Sequence, residues 1–501
     1  MPTTVLGLLS GVLLTLAFPK FGHPAVAWVA LVPWLAGLAS TTTQLDRPRR
    51  TLTLGLALGG AYFTGTLYWI PDVMVTYGGL HPFIAVPLGG LLVAYLALFP
   101  LLATWLVGRA IARFGLVGLW WAPVAWVATE WLRGWVLTGF PWVVLGASQM
   151  AWPPLIQTAS LVGVLGVSAH IVLFNVALAA LVLQRRRAWR PFAAVLALTV
   201  LVGVWGQWRV ASVQLWPRTD TLSVAFVQGN VPQDQKWDAG SRTEIFDRYL
   251  NLSRTAAAEG ARLILWPESA TPFFFEEHFD GEAIRQLARD TGAWMLFGSD
   301  QIERGVTPRY YNSAFLVGPD GRTAGVYRKQ HLVPFGEYVP LKSLLFFVAP
   351  LVEAVADFSP GTAPAALHMD GHVISTAICY EVIFSGLARR SVLEGAELLT
   401  TVTNDAWYGA TSAPWQHFDL AGVRAVEFGR YLVRAANTGV SGIIDPAGRV
   451  VVSTALFETT LGVRQVPLLA ERTLYSKIGD SFAWACAALC LVLLVGGRRT
   501  G

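Results

Sequence analysis

The sequence predicts a multi-pass α-helical membrane bundle of eight helices joined to one large α/β domain. The first observation is composition: 54% of the residues are hydrophobic and 14% are charged, whereas a soluble protein carries roughly 25% charged residues. So little charge cannot cover the water-facing surface of a 501-residue chain. The second observation is a change of pattern near residue 216, from long apolar segments to short apolar runs that alternate with amphipathic stretches.

Eight apolar segments account for the predicted bundle. A helix needs about 20 residues, with a range of roughly 17–25, to cross the hydrocarbon core of a bilayer. Some segments are shorter and must include flanking residues. Their apolar cores lie at 6–18, 25–39, 52–70, 83–107, 116–136, 160–183, 192–208 and 482–495. Glu130 and Arg133, one turn apart in the fifth segment, are predicted to pair inside the bundle.

Arginines are concentrated in alternate connections between these segments. They follow the second, fourth, sixth and last segments, at 47–50, 109–113, 185–190 and 498–499. The connections at 71–81 and 138–157 are almost free of basic residues. The positive-inside rule then places both termini in the cytoplasm and residues 209–480 outside it. The net charge of +5 therefore indicates membrane orientation and not nucleic-acid binding.

This alternation divides the chain into three parts. We expect residues 1–215 to form a membrane domain of seven transmembrane helices. Residues 216–476 are expected to form an extracytoplasmic catalytic domain, and residues 477–501 the eighth transmembrane helix and a short cytoplasmic tail. The N-terminal segment lacks a basic leader and a small-residue cleavage site, so we expect it to remain as a membrane helix.

The outer domain is predicted to be α/β with buried strands. Short apolar runs that end in polar residues are typical of such strands, and they lie at 222–228, 263–266, 294–298, 373–378 and 398–403. Ser241 and Glu244 have the spacing of a capping box and predict the start of a helix. A second helix is predicted over 417–434. Turn residues at 320–321 and at 445–448 predict two hairpins.

Three segments of this domain carry a reactive side chain beside an apolar run. Glu268 follows Leu-Ile-Leu-Trp-Pro, Lys329 precedes an apolar loop bounded by Pro and Gly, and Cys379 follows a β-rich run. Each alone has an ordinary explanation: a surface carboxylate, a solvated strand-end lysine, or a small buried thiol. Together, with Tyr380 and Glu381 directly after the only cysteine of the domain, they indicate a catalytic site.

These segments resemble the nitrilase, or carbon–nitrogen hydrolase, superfamily, whose catalytic triad is Glu, Lys and Cys in that chain order. With the predicted helices, nearly the whole chain resembles the apolipoprotein N-acyltransferases of bacterial envelopes, a membrane-embedded family of that superfamily. The matching motifs are Gln-Gly-Asn at 228–230, Lys-Trp-Asp at 236–238, Trp-Pro-Glu-Ser at 266–269, Val-Pro-Phe-Gly-Glu-Tyr-Val-Pro at 333–340, Ile-Cys-Tyr-Glu at 378–381, Thr-Asn-Asp-Ala-Trp-Tyr-Gly at 403–409 and Pro-Trp-Gln-His at 414–417. Ser385 departs from the pattern, since a proline is expected there.

The resemblance implies a four-layer α-β-β-α sandwich and a ping-pong acyl transfer. Glu268 would take the proton from Cys379, and Lys329 would stabilise the oxyanion with the backbone N–H near Tyr380. The donor would be a membrane phospholipid, Cys379 would carry the acyl chain as a thioester, and the acceptor would be the α-amine of a diacylglyceryl-cysteine on a lipoprotein. No cofactor is implied. The implied location is the bacterial cytoplasmic membrane, with the catalytic domain on its extracytoplasmic side.

Further residues are implied to surround the triad. Glu337 matches an accessory carboxylate that orients Lys329 or relays a proton, although a loop salt bridge explains it equally well. The implied substrate-binding residues are Trp237, Tyr380, Glu381, Trp415, Asn230 and Asn312. For the two tryptophans the alternative is anchoring at the bilayer interface. Asn230, Asn312 and Asn404 are implied to support the site through hydrogen bonds, and an ordinary role in a loop explains them equally well.

Two apolar runs lie beside proposed catalytic residues, at 273–275 and 341–358. Buried core is one interpretation, but lipid substrates favour flaps that enter the membrane interface. His368 and His372 have ligand-like spacing but stand without other candidate ligands nearby, so we expect no metal site.

Two other classes of function remain open on these observations. A membrane-tethered nitrilase or amidase would use the same triad but pass the acyl group to water. A transporter or scaffold would bind without catalysis and would not need all three triad residues. Eight helices and two lipid-facing runs favour the transferase, because tethering a hydrolase needs only one helix.

Overall fold

The computed structural model describes residues 2–40, 47–236, 238, 240–338 and 358–495. The chain divides into two compact units. The first comprises Met1–Thr76, Leu80–Val213 and Lys477–Gly501, and the second comprises Tyr77–Gly79 and Gln214–Ser476.

The described part of the first unit consists of helices and the turns between them. The α-helices are α1 Thr3–Thr15, α2 Ala27–Ala30, α3 Val32–Ser40, α4 Arg47–Thr66, α5 Ile70–Thr76, α6 Pro82–Phe114, α7 Ala122–Arg133, α8 Pro153–Ile156, α9 Ala159–Val162, α10 Val164–Gln184 and α11 Trp189–Ser212. A C-terminal helix, Ser481–Val495, belongs to the same unit. Each of the eight predicted apolar cores falls largely within helical residues.

Helix length and composition identify fewer membrane crossings than the arginine pattern predicts. Within the described residues, three helical stretches are long and apolar enough to cross a membrane: Pro82–Arg133, Val164–Arg187 and Trp189–Leu215. The apolar helices at Thr3–Thr15, Pro24–Ser40 and Ser481–Val495 are shorter. The first and last of these fall below the roughly 17 residues that a perpendicular crossing needs. Several apolar helices are therefore present, but their lengths alone do not establish eight crossings.

The predicted fourth and fifth segments form one long helical stretch with a break. α6 ends at Gly115, whose φ of 65° is in the left-handed region that glycine adopts without strain. A 3₁₀ segment, Gly115–Trp121, then leads into α7, and α6 packs against α7. The break lets the chain fold back on itself, so two predicted segments share one stretch.

The predicted pair in the fifth segment is confirmed and has a further role. Arg133 Nη2 lies 3.9 Å from Glu130 Oε1, and both side chains are buried. The Glu130 carboxylate also accepts a hydrogen bond from Leu145 N (2.7 Å), and Arg133 donates to the carbonyl oxygen of Trp142 (2.6 Å). The pair therefore holds the connection after α7 through its backbone.

The second unit is an α/β domain. Its strands are β1 Asp220–Gln228, β2 Leu263–Leu265, β3 Trp294–Glu303, β4 Arg309–Val317, β5 Thr323–Arg328, β6 Leu367–Met369, β7 His372–Ile378, β8 Leu398–Thr403, β9 Leu432–Ala436, β10 Gly442–Ile444, β11 Val450–Ser453 and β12 Thr460–Leu468. Its helices are α12 Arg242–Ala258, α13 Gly281–Thr291, α14 Ser385–Leu393, α15 Ala413–Phe428 and α16 Leu474–Ile478. The described strands form two six-stranded sheets, ordered β12-β1-β2-β3-β4-β5 and β11-β10-β9-β8-β7-β6.

The two sheets pack face to face between outer layers of helices. Along β1, Val224 and Phe226 enter a core shared with the second sheet, for example with Ile374. The alternate residues Ala225 and Val227 face a second core built with α12 and α13. Helices α14 and α15 pack on the second sheet. Both faces of each sheet are thus covered, which explains the continuous apolar runs in the strands and confirms the α-β-β-α sandwich.

Two local predictions in this domain are confirmed only in part. Ser241 precedes α12 as predicted, but it is already in the helical region of φ and ψ, so its side chain does not cap the helix. Its hydroxyl donates to Asp238 Oδ2 instead (2.9 Å), and Glu244 pairs with Arg248. The predicted helix 417–434 is displaced, because α15 starts earlier and ends at Gly429.

Other local predictions are confirmed. The five predicted strands coincide with β1, β2, β3, β7 and β8. The predicted hairpins are β4–β5, with Gly321 at φ 77°, and β10–β11, with Gly448 at φ 83°.

Replacing Gly429 by Ala should destabilise the second unit. Gly429 has φ 62°, and an added Cβ would lie 3.0 Å from Thr473 Cγ2. A side chain in the left-handed region costs about 1–2 kcal/mol. Gly386→Ala is the control, because Gly386 lies in α14 with open space around it and is not left-handed. Denaturant unfolding of the purified protein should show a lower midpoint for Gly429→Ala and an unchanged or higher midpoint for Gly386→Ala. Equal midpoints for the two variants would contradict this account of the helix end.

Candidate active site

The sandwich brings together the ends of strands from both sheets. Glu268 follows β2, Lys329 follows β5, and Cys379 follows β7. Strands β7, β8 and β9 are parallel, so the residues after them meet at one edge of the sheet. The three side chains are 7%, 1% and 6% exposed, respectively. The structure therefore places the predicted triad in one buried cluster.

Glu268 is held by donors on both carboxylate oxygens. Lys329 Nζ (3.2 Å) and Asn312 Nδ2 (2.8 Å) donate to Oε1, and the backbone N–H of Asn404 donates to Oε2 (2.9 Å). Burial alone would raise the pKa of Glu268, but Lys329, Asn312 and Lys236 outweigh burial and lower it below its ordinary value. The group is therefore an ionised carboxylate at neutral pH, as a general base must be.

Lys329 lies between two carboxylates. Its Nζ donates to Glu337 Oε1 (2.8 Å) as well as to Glu268. Burial alone would lower the pKa of Lys329, but Glu337 and Glu268 together raise it well above its ordinary value. Glu337 is itself fixed, because it accepts from Val333 N (2.8 Å) and from Asn312 Nδ2 (2.9 Å). Lys329 is thus a permanent, immobile cation in a buried site.

Cys379 sits in a strained turn at the end of β7. Its φ is 53°, an uncommon conformation for a residue with a side chain and one that clusters at functional sites. Its thiol is close enough to the Glu268 carboxylate to help lower the pKa of that carboxyl. Burial, and then the charge of Glu268, raise the pKa of Cys379, whereas Lys329 lowers it. The balance is a raised pKa, so the resting group is a thiol and not a thiolate.

Glu381 ties the cysteine turn to the lysine segment. Its carboxylate is 1% exposed and accepts from Ile378 N (2.9 Å), from Tyr327 Oη (2.8 Å) and from Gln330 N (2.7 Å). Ile378 directly precedes Cys379, and Gln330 directly follows Lys329. The sequence suggested substrate binding for Glu381, but every one of these contacts is made within the chain.

The other predicted substrate-binding residues lie in different surroundings. Asn312 is in the cluster, as its bonds to Glu268 and Glu337 show. Asn230 lies apart from the triad's hydrogen bonds, since its Nδ2 donates to the carbonyl oxygen of Phe457 (2.8 Å) and supports a loop.

Three aromatic residues were also predicted to bind substrate. Tyr380 is buried and packs its ring against His331 and Phe384. Trp415 is half-buried on α15, and its indole nitrogen is buried with no hydrogen-bond partner among the described residues. Trp237 lies outside the described residues.

One of the two predicted flaps is ordinary core. Phe273 and Phe275 are 6% and 2% exposed and lie between the first sheet and its outer helices, where Phe273 contacts Phe246 of α12 and Phe275 contacts Phe297 of β3. The prediction of a lipid-facing flap at 273–275 is therefore wrong, because these rings fill the layer between sheet and helices. The other predicted flap, at 341–358, lies outside the described residues except for Phe358.

Two further contacts of Glu268 come from Lys236, which the sequence did not single out as a site residue, and from Asn404, for which it left a hydrogen-bonding role and an ordinary loop role open. Lys236 is buried, and its Nζ donates to the carbonyl oxygen of Glu268 (3.2 Å). Asn404 contributes its backbone N–H, for which a sequence pattern carries no signal. The only sequence feature that pointed to Lys236 was its position in the Lys-Trp-Asp motif.

The part of the chain that the structure describes contains no group of three or more His, Cys, Asp or Glu residues placed to hold a metal ion.

Two family models match the sequence. One, described as carbon-nitrogen hydrolase, matches residues 209–473, and the other, described as apolipoprotein N-acyltransferase N-terminal domain, matches residues 10–177. An apolipoprotein N-acyltransferase from Geobacter metallireducens is 41% identical over 490 residues, which are 97% of this chain and 93% of the relative. Another from Methylococcus capsulatus is 39% identical over 502 residues, which are 98% and 94% of the two chains. Among solved structures, an amidase of the nitrilase superfamily from Nesterenkonia covers 54% of this chain and 98% of its own, with 23% identity and a TM-score of 0.40.

Replacing Lys329 by Met should move the pH dependence of Cys379 reactivity. Without the cation, burial acts on Glu268 with less opposition, so the pKa of that carboxyl rises and the base is protonated at a higher pH. The acid limb of the profile of alkylation rate against pH, followed by intact mass with iodoacetamide, should therefore shift to higher pH.

Arg328→Met is the matched control for this shift. It removes a positive charge one residue earlier, from a side chain that pairs with Glu303 (2.6 Å). An acid limb that stays in place in Lys329→Met, or that moves equally in Arg328→Met, would show that Lys329 does not hold Glu268 ionised.

Proposed function

The chain belongs to the apolipoprotein N-acyltransferase family, and we propose that it moves a fatty acyl chain from a membrane phospholipid to the N-terminal amine of a diacylglyceryl-cysteine on a lipoprotein. The observation that carries this proposal is the buried cluster of Glu268, Lys329 and Cys379 in a domain that matches the carbon–nitrogen hydrolase model. The chain is an acyltransferase with membrane character.

In the first half-reaction, Cys379 Sγ attacks the ester carbonyl of the phospholipid. Because the thiol has a raised pKa beside a carboxylate with a lowered pKa, its proton stays on sulfur at rest and passes to Glu268 as the new bond forms. Lys329 and the N–H of Tyr380 stabilise the negative oxygen of the tetrahedral intermediate. The intermediate expels the lysophospholipid alkoxide, which takes the proton back from Glu268. The products are the Cys379 thioester and lysophospholipid.

In the second half-reaction, the amine of the lipoprotein attacks the thioester. Glu268 takes a proton from the attacking nitrogen, and the same cation stabilises the oxyanion. The carbon–sulfur bond then breaks, and the leaving sulfur of Cys379 receives the proton from Glu268. The amide product leaves and the enzyme returns to its starting state, which completes a ping-pong cycle without a cofactor.

The surrounding residues are assigned by their contacts. Glu337 positions Lys329, because its Oε1 accepts a hydrogen bond from Lys329 Nζ. Asn312 positions Glu268 and Glu337, because its Nδ2 donates to both carboxylates. Glu381 positions the cysteine turn and the lysine segment. Tyr380, Trp415 and Trp237 remain candidates for substrate contacts.

We also propose an orientation in the membrane. Residues 1–215 and 477–501 form the membrane part, with eight crossings, and residues 216–476 form the catalytic domain on the extracytoplasmic side of the bacterial cytoplasmic membrane. The alternation of arginine-rich connections supports this orientation. The acceptor is a lipid-modified protein, so a site on the outer side of that membrane fits secreted lipoproteins.

The acyl chain should reside on Cys379. Incubation of the purified protein with phospholipid should give one acyl adduct by intact mass, and peptide mapping should place it at Cys379. Cys379→Ala should form none. Cys486→Ala and Cys490→Ala are the controls and should acylate normally, since both cysteines lie in the C-terminal helix of the first unit. Turnover by Cys379→Ala, or an adduct on another residue, would remove Cys379 from the mechanism.

The group that discharges the Cys379 thioester distinguishes a transferase from a hydrolase. A peptide that begins with diacylglyceryl-cysteine should discharge the thioester and gain the acyl mass, and a peptide with an acetylated N-terminus should not. Discharge at one rate with either peptide, with release of free fatty acid, would indicate that water is the acceptor.

We expect cysteines at two exposed positions of the chain to be labelled from opposite faces of the membrane. In a chain lacking the three native cysteines, Arg186→Cys should react with an impermeant maleimide only after the membrane is opened. Glu458→Cys should react from the extracytoplasmic side in sealed spheroplasts. Both positions are exposed in their own units. Labelling of both from the same side would refute the eight-crossing orientation.

A further inference from the structure

A buried polar network lies on the far side of the Cys379 turn. It consists of Asp405 after β8, His417 on α15 and Arg434 in β9, whose side chains are fully buried. Arg434 Nη2 donates to Asp405 Oδ2 (2.7 Å) and lies 2.9 Å from His417 Nδ1. The other ring nitrogen, His417 Nε2, lies 3.2 Å from the backbone carbonyl oxygen of Cys379. The network thus reaches the nucleophile through its main chain.

Stability alone is a weak reason for such a network. Burying a charged pair carries a large desolvation cost, and apolar replacements of similar volume are often neutral or stabilising. The network does, however, connect the residues that follow β7 and β8 with β9. A single buried unit can therefore fix the turn that carries Cys379 relative to the neighbouring strands.

The direction of the bond to Cys379 follows from the chemistry of its two atoms. A carbonyl oxygen can only accept, so His417 Nε2 must carry the proton. The other nitrogen, Nδ1, lies between Arg434 Nη2 (2.9 Å), which can only donate, and Asp405 Oδ1 (3.0 Å), which can only accept. Burial and Arg434 lower the pKa of His417 despite the opposing effect of Asp405, so the neutral ring is the resting form. Protonation of Nδ1 would leave the Nε2–H bond to Cys379 in place.

The peptide plane between Cys379 and Tyr380 links the contact of His417 to the direction of the Tyr380 N–H. The bond between Cys379 and Tyr380 is trans, so the carbonyl of Cys379 and the N–H of Tyr380 are rigidly coupled and point in opposite directions. A donor that holds the carbonyl on the buried side therefore holds the N–H on the opposite side. The left-handed φ of Cys379 needs such support, because a strained residue persists only where its surroundings hold it.

We propose that His417, held by Arg434 and Asp405, is a positioning residue that anchors the carbonyl of Cys379 and thereby aims the N–H of Tyr380 at the oxyanion formed during acyl transfer. This inference rests on the proposed function, since an oxyanion forms only when Cys379 attacks an acyl group. His417 thus holds the N–H of Tyr380 in place from the side of the turn opposite the oxyanion.

Two amide variants of His417 test the proposal. In His417→Gln, the terminal amide reaches the position of Nε2 and can still donate to the carbonyl of Cys379. In His417→Asn, the amide takes the position of Nδ1, where it keeps its neighbours Asp405 and Arg434 but is too short to reach the carbonyl. Phe418→Leu is a matched control for stability, because Phe418 is the next residue of the same helix and is buried.

Two reactions of Cys379 are then compared in the full-length protein in detergent, both by intact mass. Thioester formation from a short-chain p-nitrophenyl ester passes through an oxyanion, whereas alkylation by iodoacetamide does not. His417→Asn should slow acylation on the order of 10²-fold, as expected for loss of one oxyanion donor. Alkylation should change much less, because the thiol and Glu268 remain. His417→Gln and Phe418→Leu should keep both rates within a few-fold of wild type.

Each outcome decides the matter. A ratio of acylation to alkylation that is the same in wild type, Asn and Gln variants overturns the proposal, as does an equal fall of both rates in His417→Asn. If His417→Asn does not fold, a wild-type ratio in His417→Leu or His417→Ala overturns it in the same way. A wild-type protein that is alkylated but never acylated refutes the proposed function itself, and this inference with it.

Discussion

The ionic contact between Lys329 and Glu268, with Glu337 on the other side of the lysine, is the interaction on which the site depends. Burial favours neutral forms of both charged residues, and each stays ionised because of the other. The contact therefore supplies a carboxylate that can take a proton and a cation that can stabilise an oxyanion. Glu337 provides a second carboxylate in contact with Lys329.

The sandwich provides the rigid frame that this contact requires. Glu268 and Lys329 come from the first sheet, and Cys379 comes from the second, so the triad exists only when the two sheets are packed. The strained cysteine turn is held before and after the nucleophile: Glu381 binds Ile378 N, and His417 binds the carbonyl of Cys379. Both supporting side chains are buried.

Much of the fold was predictable because its signals are local. Apolar segment lengths, arginine runs and strand-like runs depend on neighbouring residues, and most of them correspond to observed elements. The failures arose where packing or backbone geometry overrides a local pattern. Ser241 has the right spacing for a cap but the wrong backbone angles, and Phe273 and Phe275 resemble a lipid-facing run although they fill a core between sheet and helix.

The sequence by itself determined the candidate chemistry: the identity and order of Glu268, Lys329 and Cys379, the membrane character of the chain, and the family resemblance. Tertiary structure decided which residues position that chemistry. Lys329 and Glu268 meet across 61 residues of sequence, and Asn404 N reaches Glu268 across 136. Contacts of that range leave no periodicity or spacing to read. The sequence motifs drew attention to Asn312, Glu381 and His417, but only the packed sheets show which atoms of the site each of them contacts.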